Sequence, residues 1–352
     1  MCESTFLQQK YKFYNMLHIL EGGTMNMKKF VVAFSILAIC ATMFVATTPA
    51  VAAQKYDLAI CGGSIGGAWA AIGEGVGEVI RRSYPGSNTA YEVGQEAANL
   101  ALVSRGKIHL GIAHAQLIKL ATEGKGPFKN KMGNLRALCV LYKGAVEHFI
   151  IRSDTGMNSF ADIKDKKFPL KAYFNTKDSF MDLVGKATIE AEGITPADID
   201  KWGGFTKNSS MGAALDLMRD GKIDAYSNVI QVPSSHVVDA GTTLKLNLLG
   251  MTPAAQKKVN QELGTYSTKI PKKAYNFLKS DVPTVGASVV LFTNADLSDD
   301  EAYAVLKSIK DNFPYFCNIH GSLKGLKFAE LKNTAPVPLH PGAVKFFKEN
   351  VK

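Results

Sequence analysis

Strand-like and helix-like stretches alternate along almost the whole chain after residue 54, and this alternation limits the fold more than any other feature. Short apolar runs such as DLAICG (57–62), TAYEV (89–93), KIHLGIAHA (107–115), KFPLKAYF (167–174) and KIDAYSNVI (222–230) read as strands. AWAAIGEGVGEVIRRSYP (68–85), GQEAANLALVSRG (94–106), KDSFMDLVGKATIEAEG (177–193), SSMGAALDLMRDGK (209–222) and SDDEAYAVLKSIKDNF (298–313) repeat apolar residues at helical spacing. NLRALCVLY and VEHFIIRS read as two more strands, and TVGASVVLFTNA as a buried one. Strands separated by helices predict an α/β fold with two parallel-rich sheets. Two stretches, HFIIRSDTG (148–156) and LKSDVPTVG (278–286), read as crossings between lobes. Two crossings make the middle of the chain an insertion. Residues 54–150 and 281–352 then form a discontinuous first lobe and 151–280 a second, with a cleft between them, a usual place for a ligand.

The N-terminus predicts export. Lys28 and Lys29 precede the apolar run FVVAFSILAICATMFVATT and the small-residue stretch PAVAA, the layout of a secretory signal peptide over 27–53, cut near Ala52. The run is long enough for a membrane anchor, but it ends in Pro49 and small residues with no basic flank after it. Residues 1–26 are patternless and read as an upstream extension. Without the leader's four lysines and two glutamates, the 41 basic and 31 acidic residues fall to 37 and 29, a net charge of +8. The basic residues are scattered over helix faces and not clustered, which argues against nucleic acid as a partner. Cys61, Cys139 and Cys317 remain, too few and too far apart for a disulfide framework or a zinc site. Cys61 and Cys139 lie in apolar runs and are expected to be buried thiols.

The stretch CGGSIGG (61–67), between the first strand and the first helix, admits three readings. As a dinucleotide loop it fails in register, because Cys61 stands where the first glycine belongs. As a nucleophile elbow, Gly62-Gly63-Ser64-Ile65-Gly66 fits G-x-S-x-G, with Asp296 and His320 or His340 following in the right order. Only about ten residues precede Ser64 after export, however, so no earlier strand can supply an oxyanion loop. The third reading is a ligand cradle, in which glycines let the backbone approach a ligand and the helix start favours an anionic group.

The succession of motifs resembles the TAXI family of solute-binding proteins, which serve tripartite ATP-independent periplasmic (TRAP) transporters. CGGSIGGAW, Ala98-Asn99-Leu100, HLGIAHAQ (109–116), LRALCVLYKGAVEHFIIRSDTG, GKIDAYSNVIQVPSSHV, DVPTVGASVVLFTNADLSDD and PLHPGAVKFFKE follow the family's order over the whole mature chain. His114 stands where the family has Gln, and Asp178-Ser179 where it has Gly-Ser. The resemblance implies a two-lobed periplasmic binding protein of the type II-like, two-crossover kind, closing by hinge motion. It implies a small polar or anionic ligand of the organic acid or amino acid class and a TRAP permease as membrane partner. It implies no catalysis, cofactor or metal. A secreted serine hydrolase using Ser64, or a ligand-binding sensor module, are the alternatives.

The candidate ligand contacts each have a plainer structural reading beside them. Gly63, Ser64, Gly66 and Gly67 form either a cradle or a tight turn. Trp69 and Tyr142 wall the pocket or pack the core. Gln95, Glu96 and Asn99 open a helix, where Glu96 can serve as a first-turn carboxylate. His114 is a candidate because it fills a family pocket position. Asn175, Thr176 and Ser179 precede a helix and can cap it, contact ligand, or both. Asn228 and Gln231 follow the strand KIDAYS and face the cleft in this reading. Lys177 and His148 are the nearest cations for a carboxylate.

Overall fold

The structure is a computed structural model and describes residues 54–351. The expected leader, cleavage site and upstream extension lie outside the described residues. Strand β1 (Asp57–Gly62) leads through the glycine turn into α1 (Ala68–Ser83), whose buried Ile72, Val76, Val79 and Ile80 recur at helical spacing. Then come β2 (Asn88–Val93), α2 (Glu96–Ser104), β3 (Leu110–His114) and α3 (Ala115–Glu123). β3 is buried at every position, as a strand covered on both faces requires.

The two predicted strands NLRALCVLY and VEHFIIRS are one, β4 (Leu135–Arg152), eighteen residues long. Gly144 between them reads as a break but adopts φ +85°, and the pairing steps from Ala145 to Lys143 opposite Ala287 and Ser288. Glycine at positive φ accommodates one extra residue as a bulge, so the strand bends and continues.

After β4 follow α4 (Phe160–Asp165), β5 (Lys171–Phe174), α5 (Phe180–Ala191), α6 (Pro196–Lys201), β6 (Phe205–Asn208), α7 (Met211–Arg219), β7 (Ala225–Ile230), α8 (Ser235–Thr243), β8 (Leu246–Leu248), α9 (Pro253–Leu263) and β9 (Tyr266–Ile270). The chain closes with β10 (Val282–Asn294), α10 (Asp299–Asp311), α11 (Phe313–Asn318) and α12 (Pro341–Asn350). Side-chain caps start several helices: Ser159 for α4, Ser179 for α5, and capping boxes at Thr195 for α6 and Ser298 with Glu301 for α10.

The strands form one mixed sheet, in the order β2-β1-β3-β10-β4-β7-β5-β6, with β8 on β4 and β9 on β10. Two parallel-rich sheets were expected. β4 and β10 run antiparallel to each other and are long enough to serve both ends, so they join what would be two sheets into one. The pairs β1–β2, β1–β3, β5–β6 and β5–β7 are parallel; β3–β10, β10–β4 and β4–β7 are antiparallel.

A large apolar cluster packs β1, β3, β10 and the start of β4 against α1, α3, α10 and α12, and continues into Phe180 and Val184 of α5 and Val259 of α9. On the β5–β7 side the alternation of side chains divides the apolar residues between two faces. Ile150 and Tyr226 lie in one cluster, while Phe149, Ile151 and Ala225 lie in another. Cys61 and Cys139 are buried free thiols, as expected, and burial pushes both up to about 12.

Candidate functional site

The site is built where two helices begin. The turn after β1 ends at Gly67, and Trp69 is the second residue of α1. The turn after β5 ends at Ser179, and Phe180 is the first residue of α5. The Trp69 and His114 rings have centroids 5.2 Å apart, and the His114 and Phe180 rings 5.0 Å apart. An aromatic chain therefore links the starts of α1 and α5 through the last residue of β3. Trp69 Nε1 donates to the Tyr142 hydroxyl at 2.9 Å. Tyr142 is almost fully buried on β4, and burial raises its hydroxyl well above the ordinary tyrosine value.

Glu96, the first residue of α2, supplies the polar centre. Its Oε1 accepts from the His114 backbone amide at 2.7 Å and lies 2.9 Å from His114 Nδ1. Its Oε2 accepts from the Phe180 amide at 2.9 Å. With the carboxylate as acceptor, the ring carries its proton on Nδ1. Glu96 is 3% and His114 1% exposed, and His114 Nε2 is buried with no hydrogen-bond partner.

A second network runs behind the α5 turn. Asn175 Nδ2 donates to the Tyr226 hydroxyl and to Asn228 Oδ1, both at 2.9 Å. Asn175 Oδ1 accepts from the Thr176 amide at 2.6 Å and from its hydroxyl at 3.2 Å. Ser179 Oγ accepts from the Asp182 amide at 3.2 Å, so its hydroxyl caps α5. Asn208 Nδ2 donates to the Asn175 carbonyl at 2.6 Å and to Asp182 Oδ1 at 2.7 Å, which ties the turn to the end of β6.

The structure thus groups Trp69, Glu96, His114 and Tyr142 in one cluster and Asn175, Thr176 and Asn228 in another, with Ser179 leading from the second to the first. Asn99 is buried. Its amide donates to the Gly62 carbonyl at 2.8 Å, holding the end of β1. The glycine turn is open: Ser64 and Gly66 are exposed, and Gly66 takes φ +82°, which favours glycine. Gly63 packs near Trp69, where an added Cβ would sit 3.8 Å from its ring, and Gly67 donates its amide to the Ser64 carbonyl at 3.1 Å. Gln95 is exposed ahead of α2, and Gln231 is half-buried just past β7; no hydrogen bond among the described residues joins the side chain of either to the clusters.

His148 does not serve as a cation. It is fully buried, with Nδ1 2.8 Å from the Val146 carbonyl and Nε2 2.9 Å from the Tyr275 hydroxyl, and burial lowers it to about 4. Beside it, Glu147 points to the opposite face of β4. Its Oε1 accepts from the Ser227 hydroxyl at 2.7 Å, its Oε2 has no partner, and burial raises it to about 8.

Three residues of these clusters escape a reading of the sequence. Phe180 is the first helical residue after a serine cap, and nothing in KDSFMD marks it as a partner for His114. Tyr91 donates its hydroxyl to the Gly63 carbonyl at 2.8 Å. Tyr226 carried a usable signal, because it stands two residues before Asn228 and strand alternation puts both on one face.

A model of the NMT1-like family matches residues 60–350. The chain belongs to this family. The TAXI-type resemblance of its motifs falls within the NMT1-like family, and the protein is a solute-binding protein, not an enzyme. The fold is that of the α/β periplasmic binding proteins. It is similar to MatC from Rhodopseudomonas palustris, solved with bound malate, at a TM-score of 0.51 and 11% identity over 77% of this chain and 86% of that one. A solved structure described as a periplasmic transporter matches at a TM-score of 0.49 and 14% identity, over 84% of this chain and 92% of the other. The alkanesulfonate-binding protein SsuA from Xanthomonas axonopodis pv. citri, bound to MOPS, matches at 0.43 and 13%, over 80% and 84%. The hydrolase alternative finds no triad: among the described residues no histidine hydrogen-bonds Ser64. His320 Nδ1 accepts from the Ser322 amide and His340 Nδ1 from the Gly342 amide.

Proposed function

We propose that the protein captures one small organic acid or amino acid outside the cytoplasm, in the periplasm after cleavage near Ala52, and delivers it to a TRAP-type permease. The observation that carries this reading is the convergence of two helix starts, those of α1 and α5, on the ring chain Trp69–His114–Phe180. First-turn amides at a helix start carry partial positive charge and suit a carboxylate. Aromatic walls around a few fixed polar groups are the usual make-up of a small-molecule site. MatC, which shares the fold, was solved with malate, and this supports the organic acid class.

In this reading residues 54–150 and 281–352 make one lobe and 151–280 the other, and β4 and β10 are the strands on which the lobes hinge. Gly63, Ser64, Gly66, Gly67, Trp69, Gln95, Glu96, Asn99, His114 and Tyr142 face the ligand from the first lobe. Asn175, Thr176, Ser179, Asn228 and Gln231 face it from the second. A ligand favours the closed state only by binding it better than the open one, so it must touch both walls.

A thermal-shift screen of organic acids and amino acids, malate included, followed by titration calorimetry on each hit, tests this. One hit should bind at one site per chain. Ser64→Ala and Thr176→Ala should each weaken it by roughly 0.5–3 kcal/mol, the range for a lost hydrogen bond to a neutral or charged partner. No binding by any compound of either class would overturn the reading, as would ester turnover that disappears in Ser64→Ala.

A further inference from the structure

Glu96 starts α2 on the β1–β3 side of the sheet, and Phe180 starts α5 on the β5–β7 side. The two are 84 residues apart, yet the Phe180 amide donates directly to the Glu96 carboxylate. The other carboxylate oxygen is engaged twice by His114. Among the described residues no lysine or arginine pairs with Glu96; His114 is its only ionisable partner. Helix α5 has twelve residues, so its first amides present a full helix-end field. A carboxylate from within the chain already occupies that end.

A second observation is independent of the helix. His114 Nε2 is buried without a partner, on a ring packed against that of Phe180. A buried polar atom left unpaired is costly and is satisfied as soon as a group of the right kind reaches it. The junction therefore holds one filled polar position and one open position side by side.

We propose that Glu96 is a built-in clasp. Its carboxylate holds the two sides of the sheet together at the start of α5, and it competes with any ligand anion for that helix end. An incoming anion must displace Glu96 from the Phe180 amide, and it gains more if it also carries a hydroxyl or other donor that reaches His114 Nε2. The competition rests on the solute-binding reading. The clasp is a property of the chain alone.

Amide hydrogen exchange and small-angle scattering on the protein without added solute test the clasp. Glu96→Ala should speed exchange at the Phe180 amide by about tenfold to a hundredfold, the span expected for losing a hydrogen bond to a charged group. Glu96→Gln keeps the size and an acceptor oxygen and should fall between wild type and Ala. The radius of gyration should rise in the same order. Exchange at Ile60 and Ile112, in the core of β1 and β3, should not change, which separates release of the clasp from general destabilisation. Equal acceleration at Phe180 and Ile112, or none at Phe180, overturns the clasp. If Glu96→Ala does not fold, Glu96→Gln decides it, with circular dichroism as the control.

Sulfate, as a simple anion probe, tests the competition. It should slow Phe180 exchange in Glu96→Gln, where the helix end is poorly filled, and leave wild type unchanged. Equal slowing in both would show that Glu96 does not hold that position. These readouts need no cognate solute. A failed organic-acid screen would remove the solute-binding reading and leave the Phe180 exchange result standing.

Discussion

Glu147 should make the protein less stable as the pH rises from neutral to mildly alkaline, and Glu147→Gln should abolish that loss. The carboxyl is 2% exposed, one oxygen accepts from the Ser227 hydroxyl, and the other has no partner. Burial raises it from the ordinary 4.5 to about 8, the Ser227 bond opposing only part of the shift. The folded state thus holds a proton that the unfolded chain has released between these values. Stability from this group is fully present below 4.5 and is lost as the pH climbs through 8.

The neighbouring His148 works in the opposite direction. Burial lowers it from 6.5 to about 4, so the unfolded chain takes up a proton that the folded one refuses, and stability rises with pH between those values. Between 4.5 and 6.5 the two slopes nearly cancel. Above 6.5 only that of Glu147 remains. At 1.36 kcal/mol per pH unit, flattening as the group titrates near 8, the loss from pH 6.5 to 9 is on the order of 2 kcal/mol. Urea denaturation of wild type and Glu147→Gln at pH 6.5, 7.5, 8.5 and 9 measures it, because the difference between the two proteins cancels titrations common to both. Wild type should lose stability relative to Gln across the series. Parallel curves would refute the reasoning, and would mean that water or a cation reaches the second oxygen.

Three further outcomes follow from the same contacts. His148→Gln should remove the rise that offsets Glu147 between pH 4.5 and 6.5, so its midpoint in urea denaturation should fall with pH over that range, where wild type is nearly flat. Asn99→Ala should cost about 1–3 kcal/mol by leaving the buried Gly62 carbonyl without its donor; the shift in urea midpoint measures it, and an unchanged midpoint would show that water replaces the side chain. Trp69→Phe keeps a ring against His114 but loses the bond to Tyr142. It should cost about 1 kcal/mol and raise the Tyr142 hydroxyl titration only slightly, since the lost bond lowers it while burial is the larger influence; ultraviolet titration of the tyrosines checks this.

What was legible in the sequence was whatever depends on near neighbours along the chain. The apolar spacing of α1 and the serine caps of α4 and α10 are local devices, and each sits where its residues predict. The elements that were missed have weak local signals. β8 has three residues, and α9, PAAQKKVNQEL, buries only the small Ala255 with Val259 and Leu263 among its apolar residues, so its helical period is weak. Gly144 misled for the opposite reason. Its signal was strong but ambiguous, because a glycine between two apolar runs marks a break or a bulge equally well, and only the register against Ala287 and Ser288 chooses between them.

The site shows the same limit at longer range. Asn175 directly follows β5, whereas Asn228, expected to follow its strand, lies within the neighbouring β7, and strand order alone would pair them. Glu96, His114 and Phe180 stand at the ends of three separate elements, the last two 18 and 84 residues from Glu96, and no periodicity links them. Taken singly, Glu96 is an ordinary first-turn carboxylate, His114 an ordinary strand histidine and Phe180 an ordinary core ring. Their chemistry appears only when β3 and α5 meet: the carboxylate then caps a helix that is not its own, and the imidazole is left with one nitrogen unspent. A buried acid whose donors all come from distant segments has its role set by tertiary closure. Local sequence could therefore mark these residues as polar and inward-facing, but not as partners.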